Sequence, residues 1–486
     1  MKLNKLFKDA PEIDILNIIT DSRKKRKNSI FFCIKGMMND GHRFISQAIS
    51  NGAICVVYSD DLIEKNPDVT YVRVKDVQDV LNKVVDIFYD SPSKKLRVFG
   101  VTGTNGKSSV TMMIRNILNR YVPTGYIGTI SVEYGEVKLP PSLTTPEPES
   151  LHAILKDMVD ANIKACTLEV SSIGLEQHRT DSVDFDVAIF TNLTHDHLDY
   201  HGTMENYFLS KKKFFDNLSS NALAVTNVDN DYGTTIVEDT EAIIKTYGIY
   251  NDADYMAKDI KVLKDKTVFK LVCKERTIDI ETNLVAEFNI YNLLATIVAL
   301  HWCDISLETI ALEVKNMVQI EGRMERVNVG QPFNVLVDFA HTPDGIEQVM
   351  RYAVKITPKE NRIIAVLGSA GKRDFKKRPI FGELVDKYCD MIILTEDDPR
   401  DESVVDICNE IASGIKNTNF IIIERRYDAI RQAVELANSN DTILLLGKGD
   451  ENFLYRDFGR ETYLGDNVVA SEVIEKYYFN ESKEEE

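Results

Sequence analysis

The stretch that most restricts what this chain can fold into is Leu96-Arg97-Val98-Phe99-Gly100-Val101-Thr102 running into Gly103-Thr104-Asn105-Gly106-Lys107-Ser108-Ser109. The first part is largely apolar without alternation, the pattern of a strand buried on both faces of a parallel sheet. A helical pattern follows the second part, so the glycines lie between a strand end and a helix start. There they let backbone amides converge on phosphate oxygens. The helix amino terminus adds partial positive charge, Lys107 neutralises the ligand, and Ser108 can reach a bound Mg²⁺. The spacing departs from G-x-x-x-x-G-K-[ST], because Gly100 stands one residue too early and Val101 occupies the place of the first glycine. A shorter T-G-T-N-G-K-S-S loop remains. A glycine-rich turn carrying a solvated lysine is the plain alternative, and the strand-loop-helix context favours a nucleoside triphosphate site over it.

The rest of the chain repeats the same alternation. With 486 residues and roughly 150 residues per domain, about three domains are expected. Residues 1–90 combine short apolar runs (Ser29 to Ile34, Ala53 to Tyr58) with a helical stretch from Arg43 to Asn51, which predicts a small α/β unit. Asp90-Ser91-Pro92-Ser93 is linker chemistry. Residues 91–325 carry buried-type strands at Leu96 to Thr102, Ala165 to Val170, Val187 to Phe190 and Ala222 to Val225. They predict a doubly wound parallel sheet with its ligands at the carboxyl ends of the strands and a closing helix from Phe288 to Trp302. Residues 326–486 restart the alternation (Val335 to Asp338, Ile363 to Leu367, Met391 to Leu394, Thr442 to Leu446), a third, Rossmann-like α/β domain. The acidic tail from Asn480 to Glu486 is expected to fray.

Composition narrows the function classes. A 44% apolar share is enough for sizeable cores and excludes a wholly disordered chain. The net charge of −18 disfavours nucleic acid and anionic membranes as partners, so a phosphate site must bring its own cations or metal. The start lacks a signal-peptide core and no run reaches membrane-span length. The seven cysteines are scattered without a CxxC, as reduced core thiols are. A soluble cytoplasmic protein, acting as a monomer, is the expectation.

Beyond the loop, a set of motifs runs the length of the chain: Asp21-Ser22-Arg23, Asp40-Gly41-His42, Thr144-Thr145-Pro146-Glu147, Glu169-Val170-Ser171-Ser172, Asp196-His197-Leu198-Asp199, Asn289 to Asn292, Glu321-Gly322-Arg323, Asp338 to Asp344, and Asp397-Asp398-Pro399-Arg400. In this order the sequence resembles the Mur ligase family, closest to its tripeptide-synthetase (MurE) type. Members build the peptide of cell-wall precursors on a UDP-sugar. The resemblance implies an ATP-dependent ligase that adds a diamino acid to UDP-MurNAc-L-Ala-D-Glu through an acyl phosphate.

The site roles follow from the resemblance. Thr102, Gly103, Thr104, Asn105, Gly106, Lys107, Ser108 and Ser109 would hold ATP, with Asn289 and Asn292 on the adenine side and Arg323, Asp338 and His341 brought by the third domain. Ser108, Glu169, His197 and Lys211 would hold Mg²⁺, Lys211 as a CO₂-derived carbamate. Such a carbamate needs a neutral, buried amine. Lys211 stands in a run with Lys212 and Lys213, which by itself reads as a solvated helix face. His195, His197 and His201 resemble a zinc cluster by spacing, but no cysteine is nearby. Ser22 and His42 would meet the UDP, and Thr144, Thr145, Ser171, Gln177 and Arg179 the sugar-peptide. Ile173 stands where the family often has His.

For the incoming amino acid, the resemblance implies Arg373, Asp397, Asp398, Pro399, Arg400, Gly447 and Glu451. The arginines would pair with its carboxylates, and Gly447 and Glu451 would receive the distal ammonium and carboxylate end. Asp398 replaces the usual Asn and Asp450 the usual His, extra negative charge that would suit an ammonium. Meso-diaminopimelate or an analogue such as lanthionine is expected, with lysine or ornithine next. Rival readings are a related ligase such as folylpolyglutamate synthase, which lacks the UDP-binding unit, a non-catalytic partner, and a mechanical P-loop ATPase.

Overall fold

The computed structural model describes residues 1–36, 39–274, 276–317 and 319–479; the tail read above as frayed lies outside them. Three large sheets are laid out in chain order, with a further two-stranded hairpin of Phe453–Arg456 and Gly459–Thr462 among the described residues. The first has four parallel strands in sequential order, Asn17–Ile19, Ser29–Phe32, Ala53–Tyr58 and Thr70–Arg73. Helix Val77–Phe88 follows, amino-capped by Asp76, whose carboxylate accepts from the amides of Gln78 and Asp79. It turns Val77, Leu81, Val84 and Val85 onto the sheet.

The central sheet has eleven strands. At its middle the phosphate-loop strand Arg97–Thr102 lies between Val187–Phe190 and Ala165–Glu169, parallel to both. Thr124–Ile127 flanks on one side, and Leu223–Asn227 then Ile243–Gly248 on the other. The chain therefore leaves Arg97–Thr102 at a point where its neighbours diverge, the place where open α/β sheets bind ligands. Both ends of the sheet depart from the parallel pattern expected. Val132–Tyr134 and Val137–Leu139 add an antiparallel hairpin at one edge. Tyr255–Val262, Thr267–Cys273 and Arg276–Thr282 form an antiparallel meander at the other.

Helix Lys107–Leu118 packs Val110, Met113, Ile114 and Ile117 into the core it shares with helix Glu287–Trp302. The latter is apolar on nearly all sides, as a helix buried within a domain must be. It does not close the domain, because helix Leu307–Lys315 follows.

The third sheet runs Glu325–Val327, Asn334–Asp338, Thr442–Leu446, Ile363–Leu367, Met391–Leu394 and Asn419–Ile422, with only the first strand antiparallel. Strand Glu325–Val327 thus places Glu325 with the third sheet rather than with the central region. The connection bends at Gly322 and Met324, with φ of 63° and 53°. Carboxyl ends of central and third-domain strands face one another across a cavity of about 710 Å³.

Candidate active site

The phosphate loop is shaped by two constraints. Gly106, at φ 87°, ends the loop as the residue before helix Lys107–Leu118, and a Cβ there would sit 2.5 Å from Asn292 Oδ1. Asn105 is held by its own amide, which donates to Asn192 Oδ1 at 2.9 Å. Lys107 curls back, its ammonium donating to the carbonyls of Gly103 at 3.0 Å and Thr104 at 2.9 Å. Burial pushes its pKa down, against the pull of Glu169 and Asp196. These are groups that a polyphosphate would replace as partners.

Behind the loop, Glu169 at the end of its strand is fully buried. Its carboxylate accepts from Tyr126 at 2.6 Å, the Thr129 amide at 3.0 Å, the Thr129 hydroxyl at 3.1 Å and Ser108 Oγ at 2.9 Å. Carboxylate and hydroxyl oxygens converging here match what Mg²⁺ takes as ligands. Ser109, like the others, lines the cavity, whereas Thr102 is buried at the strand end beneath it.

A second cluster lies beside the first. Asp196 is buried 3.4 Å from His197 Nε2, 3.9 Å from His341 Nε2 and 3.8 Å from Lys377 Nζ. Burial works against its ionisation, but those three neighbours outweigh it and hold the carboxyl well below the usual range. Burial drives both His197 and His341 down to about 4 despite Asp196, so both imidazoles are neutral near pH 7. A neutral imidazole can ligate metal.

Lys211 is 1% exposed. Its amine donates to the Gly103 carbonyl at 3.0 Å, lies 3.4 Å from Thr102 Oγ1, and sits over the Tyr207 ring. No carboxylate pairs with it among the described residues. Burial, and secondly the charge of Lys107, lower its pKa far below that of a free lysine. Lys212 instead pairs with Asp216 and Asp239, and Lys213 with Glu176, at the surface. The three histidines diverge: His195 meets Asp374 at 3.1 Å, His197 turns to Asp196, and His201 bonds Ser172 Oγ at 2.9 Å.

The third domain reaches the loop directly. Asn105 donates to Asp344 Oδ2 at 2.9 Å, and Lys377 donates to the His341 carbonyl at 2.8 Å. Arg323 lies over the Phe339 ring and donates to Asp450 Oδ1 at 2.8 Å. Asp338 accepts from the Met324 and Ala340 amides, and burial raises it to about 6. Asn292 lines the cavity, but Asn289 does not. Asn289 donates to Val285 O and accepts from Asn292 Nδ2 at 3.1 Å, so it orients Asn292 from behind. Sequence reasoning missed Asp229, which caps three amides after Gly248, and Tyr291, whose hydroxyl meets it at 3.0 Å. Both line this end of the cavity.

Arg373, Asp397, Asp398, Arg400, Gly447 and Glu451 line the cavity's far end, while Pro399 lies in the chain between them without lining it. Arg400, at φ 54°, donates to the Gly371 carbonyl, and its pKa is lowered by burial and next by the neighbouring Arg373, with Asp398 and Asp397 pulling the other way; among the described residues neither arginine is held in an ion pair. Two expectations need correction. The added charge of Asp398 is not free, because Lys448, fully buried, donates to it at 2.8 Å and to Glu451 at 2.5 Å. Asp450 faces Arg323 and not the amino-acid end. Lys448 was missed because its partner Asp398 is 50 residues away in sequence. Lys377 stands beside Lys376 and Arg378, and nothing in that run marks which cation the fold turns toward Asp196.

Between the first two domains lies a separate cleft of about 1490 Å³ lined by Ser22, Gln47 and Gln177. Ser22 donates to Gln47 Oε1 at 2.6 Å. His42 does not line it. Its Nδ1 meets Asp40 at 2.6 Å and its Nε2 accepts from the Ser59 amide at 3.0 Å. Thr144 and Ser171 face the first cavity instead, and Thr145 is buried beneath them, bonding the Glu169 carbonyl and Ser171. Arg179 is not an open carboxylate partner either. It is 7% exposed and tied to the Thr145 carbonyl, Gln177 and Glu147.

A glycine loop with its lysine at one end of the cleft, and arginines set among acids at the other, suit an ATP-dependent acid–amino-acid ligase. Comparison with known proteins narrows the class. Three family models match in order: the catalytic domain of the Mur ligase family over residues 14–89, the Mur ligase middle domain over 101–300, and the Mur ligase glutamate ligase domain over 322–449. The UDP-N-acetylmuramoyl-L-alanyl-D-glutamate–2,6-diaminopimelate ligase of Caldanaerobacter subterraneus subsp. tengcongensis is 40% identical over 95% of this chain and 94% of its own length. That of Bacillus velezensis is 38% identical over 98% and 99%. A solved structure of a ligase of the same name superposes with a TM-score of 0.69 at 26% identity, covering 99% of this chain and 100% of that one. The chain belongs to the Mur ligase family.

Proposed function

We propose that this chain joins meso-2,6-diaminopimelate to the D-glutamyl carboxylate of UDP-MurNAc-L-Ala-D-Glu, at the cost of ATP, in peptidoglycan precursor synthesis. The observation that carries the choice of amino acid is the cavity's far end, which Arg373 and Arg400, in no ion pair among the described residues, line together with Asp397, Asp398 and Glu451. Arginines suit carboxylates by paired hydrogen bonds, and the acids suit ammonium groups. Lanthionine has the same charges. Lysine or ornithine would leave an arginine unused.

The carboxylate oxygen attacks the terminal phosphorus and ADP leaves. The amine then attacks the acyl carbon of the resulting acyl phosphate, phosphate departs, and the amine's extra proton is lost to solvent. Two anions meet in the first step, so positive charge must crowd the phosphoryl group. Lys107 and the amides at the start of its helix supply part of it. Mg²⁺, when bound, would add Lewis-acid charge there, held by Ser108 and Glu169 and, in a second position, by His197 and a carbamate on Lys211. Lys211 suits that modification because its neutral amine can add to CO₂, forming an N–C bond with loss of a proton. Arg323, His341 and Lys377 cover the site and exclude water from the acyl phosphate.

The cleft lined by Ser22 and Gln177 would take the nucleotide-sugar. The matched amino-terminal domain favours this over a folylpolyglutamate synthase. Among the described residues no helix is long and apolar enough to cross a membrane, and a monomer acting in the cytoplasm fits this reading.

The test is phosphate release with UDP-MurNAc-L-Ala-D-Glu, ATP and a panel of diamino acids. Diaminopimelate should be preferred. In Arg400→Ala its KM should rise on the order of tenfold to a hundredfold, the worth of charge-assisted hydrogen bonds, with little change in the ATP KM. Preference for lysine, or equal effects on both KM values, would count against the assignment.

A further inference from the structure

Lys448 is the most unusual ion in the molecule that the chemistry above does not use. Its side chain is fully buried, yet three carboxylates surround its ammonium: Glu451 at 2.5 Å, Asp398 at 2.8 Å and Asp397 at 3.9 Å. It lies behind the cavity wall, over the Phe453 ring at 5.0 Å. Asp398 and Glu451 line the cavity. The other nearby ions are paired elsewhere: Arg426 with Asp466, Arg456 with Glu396 and Glu461, and Arg323 with Asp450. Lys448 is thus the only cation bonded to the pair among the described residues.

We propose that Lys448 is a positioning residue of the amino-acid pocket: its ammonium clamps Asp398 and Glu451 side by side as a wall of two carboxylates that receives the incoming ammonium group. This rests on the reading of that pocket as the diamino-acid site. Two like charges at such a distance in a dry wall would otherwise repel, and one would take up a proton. Lys448 prevents that by bonding one oxygen of each, Asp398 Oδ1 and Glu451 Oε2, and among the described residues the other oxygen of each accepts no hydrogen bond. Burial raises Glu451 to about 7 even with Lys448 opposing it, with Asp398 and Asp397 contributing to the rise. The groups that bear on Glu451 are Lys448 on its own turn, Asp397, Asp398 and Arg400 from the turn after Met391–Leu394, and Arg373 from the turn after Ile363–Leu367. Asp450 on its own turn is neutralised by Arg323.

The test compares Lys448→Met with Lys448→Met/Asp398→Asn in the full chain. Breaking a buried pair leaves an uncompensated charge, whereas replacing both partners by neutral groups is often nearly neutral to stability. In Lys448→Met the diamino-acid KM should therefore rise at least about tenfold at pH 7.5, with the ATP KM held within about twofold. The rise should shrink toward pH 9, as added base ionises the wall. Asp398→Asn alone removes half of the wall and should itself raise the diamino-acid KM, so the double variant is read against it. Adding Lys448→Met to Asp398→Asn should cost clearly less than adding it to wild type, because only one carboxylate is left and nothing remains to be clamped apart. If Lys448→Met fails to fold, the double variant, in which one buried charge on each side has been removed, is compared with Asp398→Asn and should raise the KM less than about threefold further. A further rise of about tenfold on top of Asp398→Asn would overturn the proposal. So would KM values for ATP and amino acid that rise together, or an unchanged amino-acid KM. A wild-type chain that uses no diamino acid would instead refute the underlying function.

Discussion

Lys211, Lys212 and Lys213 are adjacent in sequence and have opposite fates. One helical step turns Lys211 into the core, where its amine meets a loop carbonyl and no carboxylate, while its neighbours reach acids at the surface. A buried amine without a counter-ion is held neutral, and a neutral amine is what reacts with CO₂. Lys211→Ala should lower kcat by about 10²- to 10³-fold, as losing one charge-stabilising group does elsewhere. Short carboxylic acids added to the variant should restore part of the rate if the natural group is a carbamate, and the phosphate-release assay reads both effects. A variant of undiminished rate would remove Lys211 from the chemistry. The charge run alone carries no sign of which lysine the fold buries, but the helical period does: Lys211 falls four residues after Tyr207 and three and four before Phe214 and Phe215, on the face the helix buries.

At the scale of elements, legibility followed burial. Strands Arg97–Thr102, Val187–Phe190 and Ile363–Leu367 are buried along almost their whole length, so their sequences are continuous apolar runs. Tyr255–Val262 and Arg276–Thr282 are exposed over part of their length and are rich in charge, and Val137–Leu139 is exposed throughout. Such edge strands do not stand out from loops in sequence. The glycine loop was legible because its amides must approach a ligand closely. Its tightness goes further than the motif indicates, for Gly106 abuts Asn292, more than a hundred residues away in the chain. Ala in its place must tolerate φ 87° and displace Asn292, a strain of about 1–3 kcal/mol. Gly106→Ala should raise the ATP KM at least about tenfold and leave the diamino-acid KM near wild type. Isothermal titration with a non-hydrolysable ATP analogue checks it, and undiminished affinity would mean the loop has room the geometry denies.

At the scale of the whole molecule, the side-chain contacts that hold the third domain against the central one at the site include Asn105 with Asp344 and Thr342, His195 with Asp374, and Asp196 with Lys377 and His341. Each joins a residue of the phosphate loop or of the turn at 194–199 to a residue near the start of a third-domain helix. None was foreseen, because pairing across domains leaves no local pattern. The contacts coexist with a connection bent at Gly322, where a Cβ would lie 2.0 Å from the Asp450 amide. The bend therefore packs directly on the turn that carries Lys448 and Glu451, and a shift of the third domain moves the amino-acid wall relative to ATP. If closure mainly assembles the site and excludes water, weakening the contacts should tax the rate and spare nucleotide affinity. Asp344→Asn keeps shape and an acceptor but removes charge, and Asp374→Asn does the same opposite His195. The double variant should bind the ATP analogue within about twofold of wild type, since neither acid is among the residues assigned to ATP in either domain, while kcat falls on the order of tenfold. Titration and steady-state phosphate release on the same preparation separate the two quantities. A matched loss in both would show that the third domain holds nucleotide directly, and an unchanged kcat would show that these contacts do not govern closure.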